Sequence, residues 1–188
     1  MPDRSLLGRD VRRVARDLLG TRLVSTVDGE RTEAVIVETE AYLGPHDPAS
    51  HAAARIGRTS RNEAMFGPPG TAYVYLIYGV HWCLNVVTGE EGDPQAVLLR
   101  GAEPLVGHDV VSRRRGRPPP LAGPGRLCQG LGVTGELNAH PLDREPLKLE
   151  AGWSVPEEAV GVSPRVGVTA ARDWPLRFFV RGSSGVSR

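Results

Sequence analysis

TEAVIVETEAY, residues Thr32–Tyr42, is the stretch on which the fold turns. It is rich in β-branched residues and contains neither glycine nor proline, so it predicts one long strand. Side chains alternate along a strand. Val35 and Val37 are therefore expected on one face, with Ala34, Ile36, Glu38, Glu40 and Tyr42 on the other. The second face begins apolar and ends in two carboxylates and a tyrosine, as a strand does when it leaves a core for a cleft. Just upstream, Asp28-Gly29 is a hairpin signal that pairs this strand with Arg22–Val27 and starts an antiparallel sheet.

Working outward, Asp10 can cap a helix running to about Leu19, with Val11, Val14, Ala15, Leu18 and Leu19 on one stripe and Gly20 as the stop. Asp47-Pro48 suggests the N-cap and first-turn proline of a short helix through Ala54. Ser60-x-x-Glu63 reads as a capping box for another ending near Phe66, before the turn Gly67-Pro68-Pro69-Gly70. A hairpin follows, Thr71–Ile77 and His81–Val87, turning at Tyr78-Gly79, and then a strand Gln95–Arg100. Gly107–Gly123 has loop composition, and 107–122 is expected to be a mobile basic loop. A short helix is expected at Gly125–Gly130. Late strands are expected at Leu147–Leu149, Arg165–Val168 and Leu176–Arg181. Hairpins dominate and no βαβ rhythm occurs. The fold class is therefore α+β, a single compact domain over 1–188 built around a curved antiparallel β-sheet with short helices.

Bulk composition narrows the function. The 188 residues, 40% hydrophobic and 24% charged, suit one globular domain. No apolar run reaches membrane-spanning length, and MPDRSLLGRD lacks the cationic and apolar regions of a signal peptide. Cys83 and Cys128 form no CxxC pair, which predicts a reduced, cytoplasmic protein. Net charge is only +1, a poor footprint for nucleic-acid binding, but arginines cluster at Arg55-Arg58-Arg61 and Arg113–Arg117. Of the 23 basic residues only Lys148 is a lysine.

Several residues could carry chemistry. Taken alone, Glu38 and Glu40 read best as rim carboxylates paired to arginines, and one can fill that role while the other is catalytic. Arg100 closes an apolar run on the face of Leu98, so if buried it needs Glu38 or Glu40. Tyr73 and Tyr75 share a strand face. Tyr78, before Gly79 at a hairpin tip, cannot bury in its own core and is suited to meeting a partner. Asn85 lies in an apolar run and must find polar partners. The five histidines show no zinc spacing, so no metal is expected. Gly123 and Gly125 could present N–H groups to a phosphate, although a plain loop-to-helix turn explains them as well.

Together, VETEAYLGPHDPASHA (Val37–Ala52), RNEAMFGPPGTAYVYLIYGVHWCLN (Arg61–Asn85), AVLLRGAEPL (Ala96–Leu105) and GPGRLCQGLGV (Gly123–Val133) resemble the alkyladenine (3-methyladenine) DNA glycosylase family, as do SPRVGV and PLRFFVRGS near the C-terminus. The resemblance implies a monomeric enzyme without cofactor or metal. Such an enzyme excises alkylated or deaminated purines from double-stranded DNA as the first step of base excision repair. Carried over by position, it implies Glu40 as general base, Arg100 as holder of the water, and Tyr42, His51 and Tyr75 as walls around the flipped base. It also implies Asn85 as the residue crowding guanine's 2-amino group, and Tyr78 as the side chain filling the vacated space in the duplex.

The chemistry is coherent. A base must leave the stack before its glycosidic bond can be reached. A cationic alkylated purine gains ~0.5–2 kcal/mol of cation–π stacking that a normal purine does not. Departure leaves an oxocarbenium-like sugar that one carboxylate can stabilise while deprotonating water. Two other readings stay open. A small-sugar glycosidase could use Glu38 and Glu40, whose Cα atoms would lie roughly 6.5–7 Å apart on one strand. A non-catalytic module could use the tyrosines as stacking platforms.

Overall fold

In the computed structural model, which describes residues 4–187, the strand Thr32–Tyr42 (β2) has the predicted bounds and sits at the centre of the sheet. Before it come α1 (Arg4–Leu7), α2 (Val11–Asp17) and β1 (Arg22–Ser25). Asp10 accepts hydrogen bonds from the Arg12 and Arg13 amides, which caps α2 as predicted. β1 ends two residues earlier than expected, because the chain turns through Val27–Gly29 with Asp28 and Gly29 both at positive φ.

After β2 come the hairpin β3 (Ala72–Ile77) and β4 (His81–Thr88), then β5 (Gln95–Val106), α3 (His108–Arg115), β6 (Leu121–Ala122) and α4 (Pro124–Leu131). The chain ends with β7 (Asp143–Arg144), β8 (Leu147–Glu150), β9 (Val160–Ser163) and β10 (Arg177–Val180). Among the described residues the strands form one antiparallel sheet of order β3-β4-β5-β2-β1-β8-β7; β6 adds to β5, and β10 joins β2 to β9. The result is a curled sheet in a single α+β domain, as expected. Its core packs α2 and α4 against the sheet through residues such as Ile36, Leu84, Leu99, Leu127 and Leu131, all fully buried. Each such aliphatic side chain contributes about 1.5–3 kcal/mol of burial free energy.

One expectation for β2 fails. The pairing with β5 slips between Ile36 and Glu38 and again before Thr39, so the strand carries a β-bulge around Val37. The extra residue reverses the alternation. Ala34, Ile36 and Ala41 all join the main core, and the Thr39 hydroxyl donates to the Ala15 carbonyl of α2. Glu38, Glu40 and Tyr42 therefore lie on the face opposite Ala34 and Ile36, not on a continuation of their face. The bulge falls where β2 exchanges one neighbour for another. Thr32–Val35 pair with β1, and Glu38–Glu40 with β10.

Other local expectations are corrected too. Pro48–Ala54 forms turns, not a helix, because the Asp47 carboxylate accepts from the amides of Leu43 and Ala49 and faces inward. Ser60 caps nothing; Glu63 pairs with Arg58, and Glu63–Phe66 is a single 3₁₀ turn. The expected loop 107–122 is largely ordered secondary structure: α3 and β6. Gly107 and Gly116, at φ 75° and 66°, bracket α3, and Val111 buries completely. Arg113, Arg114 and Arg115 fall in its last turn, where the helix dipole favours cations. That arginine run conceals a helix with a narrow buried stripe. Arg165–Val168 is irregular and not a strand.

Candidate active site

The bulge brings β2 to the edge of an open cleft of about 1170 Å³ between the β3–β4 hairpin, β5, the α3–α4 region and the segment 166–170. Tyr42, His51, Tyr75, Tyr78, Asn85 and Arg100 all line it, so one cavity collects six of the seven candidate side chains. The seventh, Glu40, has no exposed surface and lies directly behind the wall formed by Tyr42, Arg100 and Val166.

Three groups hold Glu40. Its Oε1 accepts from the Val166 amide at 2.7 Å, its Oε2 accepts from the Tyr42 hydroxyl at 3.1 Å, and Arg100 Nη1 stands 3.5 Å from Oε1. Burial pushes the Glu40 carboxyl above the usual carboxylate range; Arg100, the Val166 amide and Tyr42 oppose the shift only in part, and the charge of Glu38 adds to it. Burial and the neighbouring Glu40 also hold the Tyr42 phenol far above its ordinary value, so it remains a neutral donor.

Glu38, also fully buried, belongs to a different set. It accepts from Arg177 Nε at 2.7 Å, Arg100 Nε at 3.1 Å, and the Ser187 hydroxyl and amide at 2.8 and 2.6 Å. It does not line the cleft, so a pair of free carboxylates flanking a sugar is not the geometry here.

The aromatic wall is self-supporting. His51 and Tyr75 meet edge to face at 4.4 Å between centroids, and Tyr73 and Tyr75 lie 5.3 Å apart. His51 Nδ1 is 2.8 Å from the Tyr73 hydroxyl, and burial with nearby Arg61 lowers the histidine below its ordinary value, keeping it neutral. Asn62 donates to the carbonyls of His51 and Gly57 and fixes the turn that carries His51. Asn85 donates to the Tyr73 carbonyl from the cleft floor. Burial raises the Cys83 thiol, which disfavours a thiolate nucleophile. Tyr78, 83% exposed, stands at the hairpin apex with φ 53°, followed by Gly79 at 72°.

Two residues invisible to sequence reasoning organise the opposite wall. Arg165 and Asp47, both with wholly buried side chains, pair through Nη1 at 2.5 Å and Nη2 at 2.9 Å. Arg165 also donates to the Ala41 carbonyl at 3.0 Å and lies 4.5 Å from the centre of the Tyr42 ring. It thereby sets the Val166 amide on Glu40. SPRVGV was the only sequence signal for this segment, and the motif names no partner.

The arginine cluster divides. Arg113 and Arg114 pair with Glu30, near the β1–β2 turn, and Arg115 donates to the carbonyls of Pro118 and Pro120. Arg117 and Arg126 line the cleft with Gly123 and Gly125. Lys148, on β8, pairs with Glu150 at 2.9 Å and does not line the cleft. The amine of Met1 lies outside the described residues. Among the described residues no group of three or more His, Cys, Asp or Glu could hold a metal ion, and no helix is long and apolar enough to cross a membrane.

Residues 5–184 match the family model for methylpurine-DNA glycosylase. A chain from Methanoculleus marisnigri is 50% identical over 186 residues, covering 96% of this chain and 95% of its own length. One from Carboxydothermus hydrogenoformans is 45% identical, covering 98% and 97%. One from Anaeromyxobacter dehalogenans is 52% identical, covering 96% and 83%. All three are provisionally named 3-methyladenine DNA glycosylase.

Proposed function

The chain belongs to the methylpurine-DNA glycosylase family, and from that premise we propose that it flips alkylated or deaminated purines out of duplex DNA and hydrolyses their N-glycosidic bond with a water activated by Glu40. The observation that carries this reading is a buried carboxyl of raised pKa directly behind an aromatic cleft. A flat cationic purine fits between Tyr42 on one side and His51 with Tyr75 on the other. Glu40 has no exposed surface while the Tyr42 hydroxyl holds Oε2, so a base stacking on Tyr42 and displacing that hydroxyl would admit the water. In this reading Arg100 orients that water through Nη1, and its 3.5 Å distance from the carboxylate supports the role. The deciding test is incubation with duplexes carrying one hypoxanthine, one 1,N6-ethenoadenine or one 7-methylguanine. Release of free base supports the reading, and intact duplex in all three overturns it.

Tyr78→Ala should weaken flipping and leave the fold intact, because an exposed apex contributes little to the core. Single-turnover excision from duplex should fall about tenfold or more; unchanged rates and duplex affinity would sink the wedge assignment. Asn85→Ser should relax discrimination. A shorter side chain on the cleft floor leaves room for an exocyclic 2-amino group, so guanine release should rise relative to release of alkylated purine. If that ratio stays fixed in a folded variant, Asn85 serves only as the partner of the Tyr73 carbonyl.

A further inference from the structure

Arg100 faces two buried carboxylates and does not treat them alike. Its Nε donates to Glu38 at 3.1 Å, its Nη2 donates to the Ser187 hydroxyl at 3.1 Å, and only Nη1, at 3.5 Å, is left for Glu40. A guanidinium beside a lone carboxylate ordinarily closes on it with two parallel hydrogen bonds. That closure onto Glu40 would fill the space a water needs and draw the carboxylate's negative charge into an ion pair.

We propose that Glu38 is a positioning residue that holds the Nε edge of Arg100 away from Glu40, keeping Glu40 available as a base and Nη1 free to orient water. This rests on the reading of Glu40 as the base.

Three features support the assignment. Glu38 does not itself line the cleft, and its side-chain hydrogen bonds run to Arg177 and to Arg100 and Ser187, which do. The backbone makes room for it: a Cβ on Gly101 would lie 3.0 Å from Glu38 Oε2 and 2.2 Å from the Gly185 carbonyl oxygen, so a glycine is required beneath this carboxylate and the segment that covers it. The charges also balance. Glu38 and Glu40 oppose Arg100 and Arg177, whose strand pairs in register with Glu40, while Arg165 is matched by its own Asp47. The remaining titratable groups near Glu40 are Tyr42 and Cys83, both held neutral by burial. Without Glu38, two cations would face one carboxylate.

The experiment follows single-turnover release of 7-methylguanine from duplex across pH. This base is already cationic, so the acid limb reports the base and not a proton donor. Wild type should show an acid limb that Glu40→Gln abolishes. Glu38→Gln, nearly isosteric, should move that limb down by about one pH unit. Its plateau should drop roughly 10²-fold as the guanidinium shifts, with lesion-duplex affinity kept. Arg177→Gln should move the limb the other way, and it supplies the test if Glu38→Gln fails to fold. A folded Glu38→Gln with the wild-type limb and plateau, or an Arg177→Gln limb that stays in place, overturns the proposal. If wild type shows no limb, or Glu40→Gln retains its rate, the fault lies with the reading of Glu40 as base, and the positioning role falls with it.

Discussion

Glu40→Gln should cost about 10²–10⁴-fold in the rate of base release while binding to lesion-bearing duplex survives. The substitution keeps the size of the side chain and an oxygen for the Val166 amide; its NH2 takes the place of Oε2, where the Tyr42 hydroxyl can turn to accept, and the capacity to take a proton is lost. Without a base, water attack on an oxocarbenium-like sugar must rely on the pull of the departing purine alone. A strand-cutting alternative would require an amine to form a Schiff base with the sugar. Lys148 is committed to Glu150 on β8. Borohydride added during turnover should therefore trap no covalent adduct, and the abasic product should break only after alkali. A trapped adduct, or near-normal excision by Glu40→Gln, would falsify the water mechanism.

The same substitution has a stability signature of opposite sign. The folded-state pKa of Glu40 lies above its unfolded value, so between the two the folded protein holds more protons than the unfolded chain. Stability then falls as pH rises through that window and stays reduced above it. Chemical denaturation near pH 4 and near pH 7 should show Glu40→Gln gaining on wild type at the higher pH only.

Asp47→Asn should be the most destabilising of the substitutions considered, by ~3–5 kcal/mol. It leaves the Arg165 guanidinium wholly buried with no counter-charge. Against a typical total of about 5–15 kcal/mol, that is a large share. The urea midpoint should drop at unchanged slope. Activity of the folded fraction should fall as well, because the pair fastens the segment whose Val166 amide binds Glu40 and lies against the ring of Tyr42. A midpoint within experimental error of wild type would show the pair to be dispensable.

The parts of this molecule legible in its sequence are those governed by neighbouring residues. The bounds of β2 follow from an unbroken extended run, the α2 cap from Asp10, and the hairpin apex from Tyr78-Gly79. What stayed hidden depended on distant partners. Asp47 looked like a helix cap because Pro48 follows it, yet its partner is Arg165, 118 residues later. The run Arg113–Arg115 suggested a loop because one buried valine and two flanking glycines give little periodic signal. The candidate cleft residues were legible through family resemblance; their support by Arg165, Arg177 and Ser187 was not, since each of these joins elements far apart in the chain, nor was that by Asn62, which acts through backbone carbonyls of an irregular turn.

The bulge at Val37 also sets what kinds of genetic change this strand can absorb. A point substitution alters one side chain and leaves the pattern of inward and outward positions standing. Loss of a single codon in the regular stretches on either side of the bulge would do more than shorten the strand: it would turn the residues beyond it inside out, whereas loss of the bulged residue itself would keep Ile36, Thr39 and Ala41 on the core face by simple alternation. For this strand residue number is the stricter constraint, and a library that varies its letters at fixed length should yield far more folded members than one that varies its length.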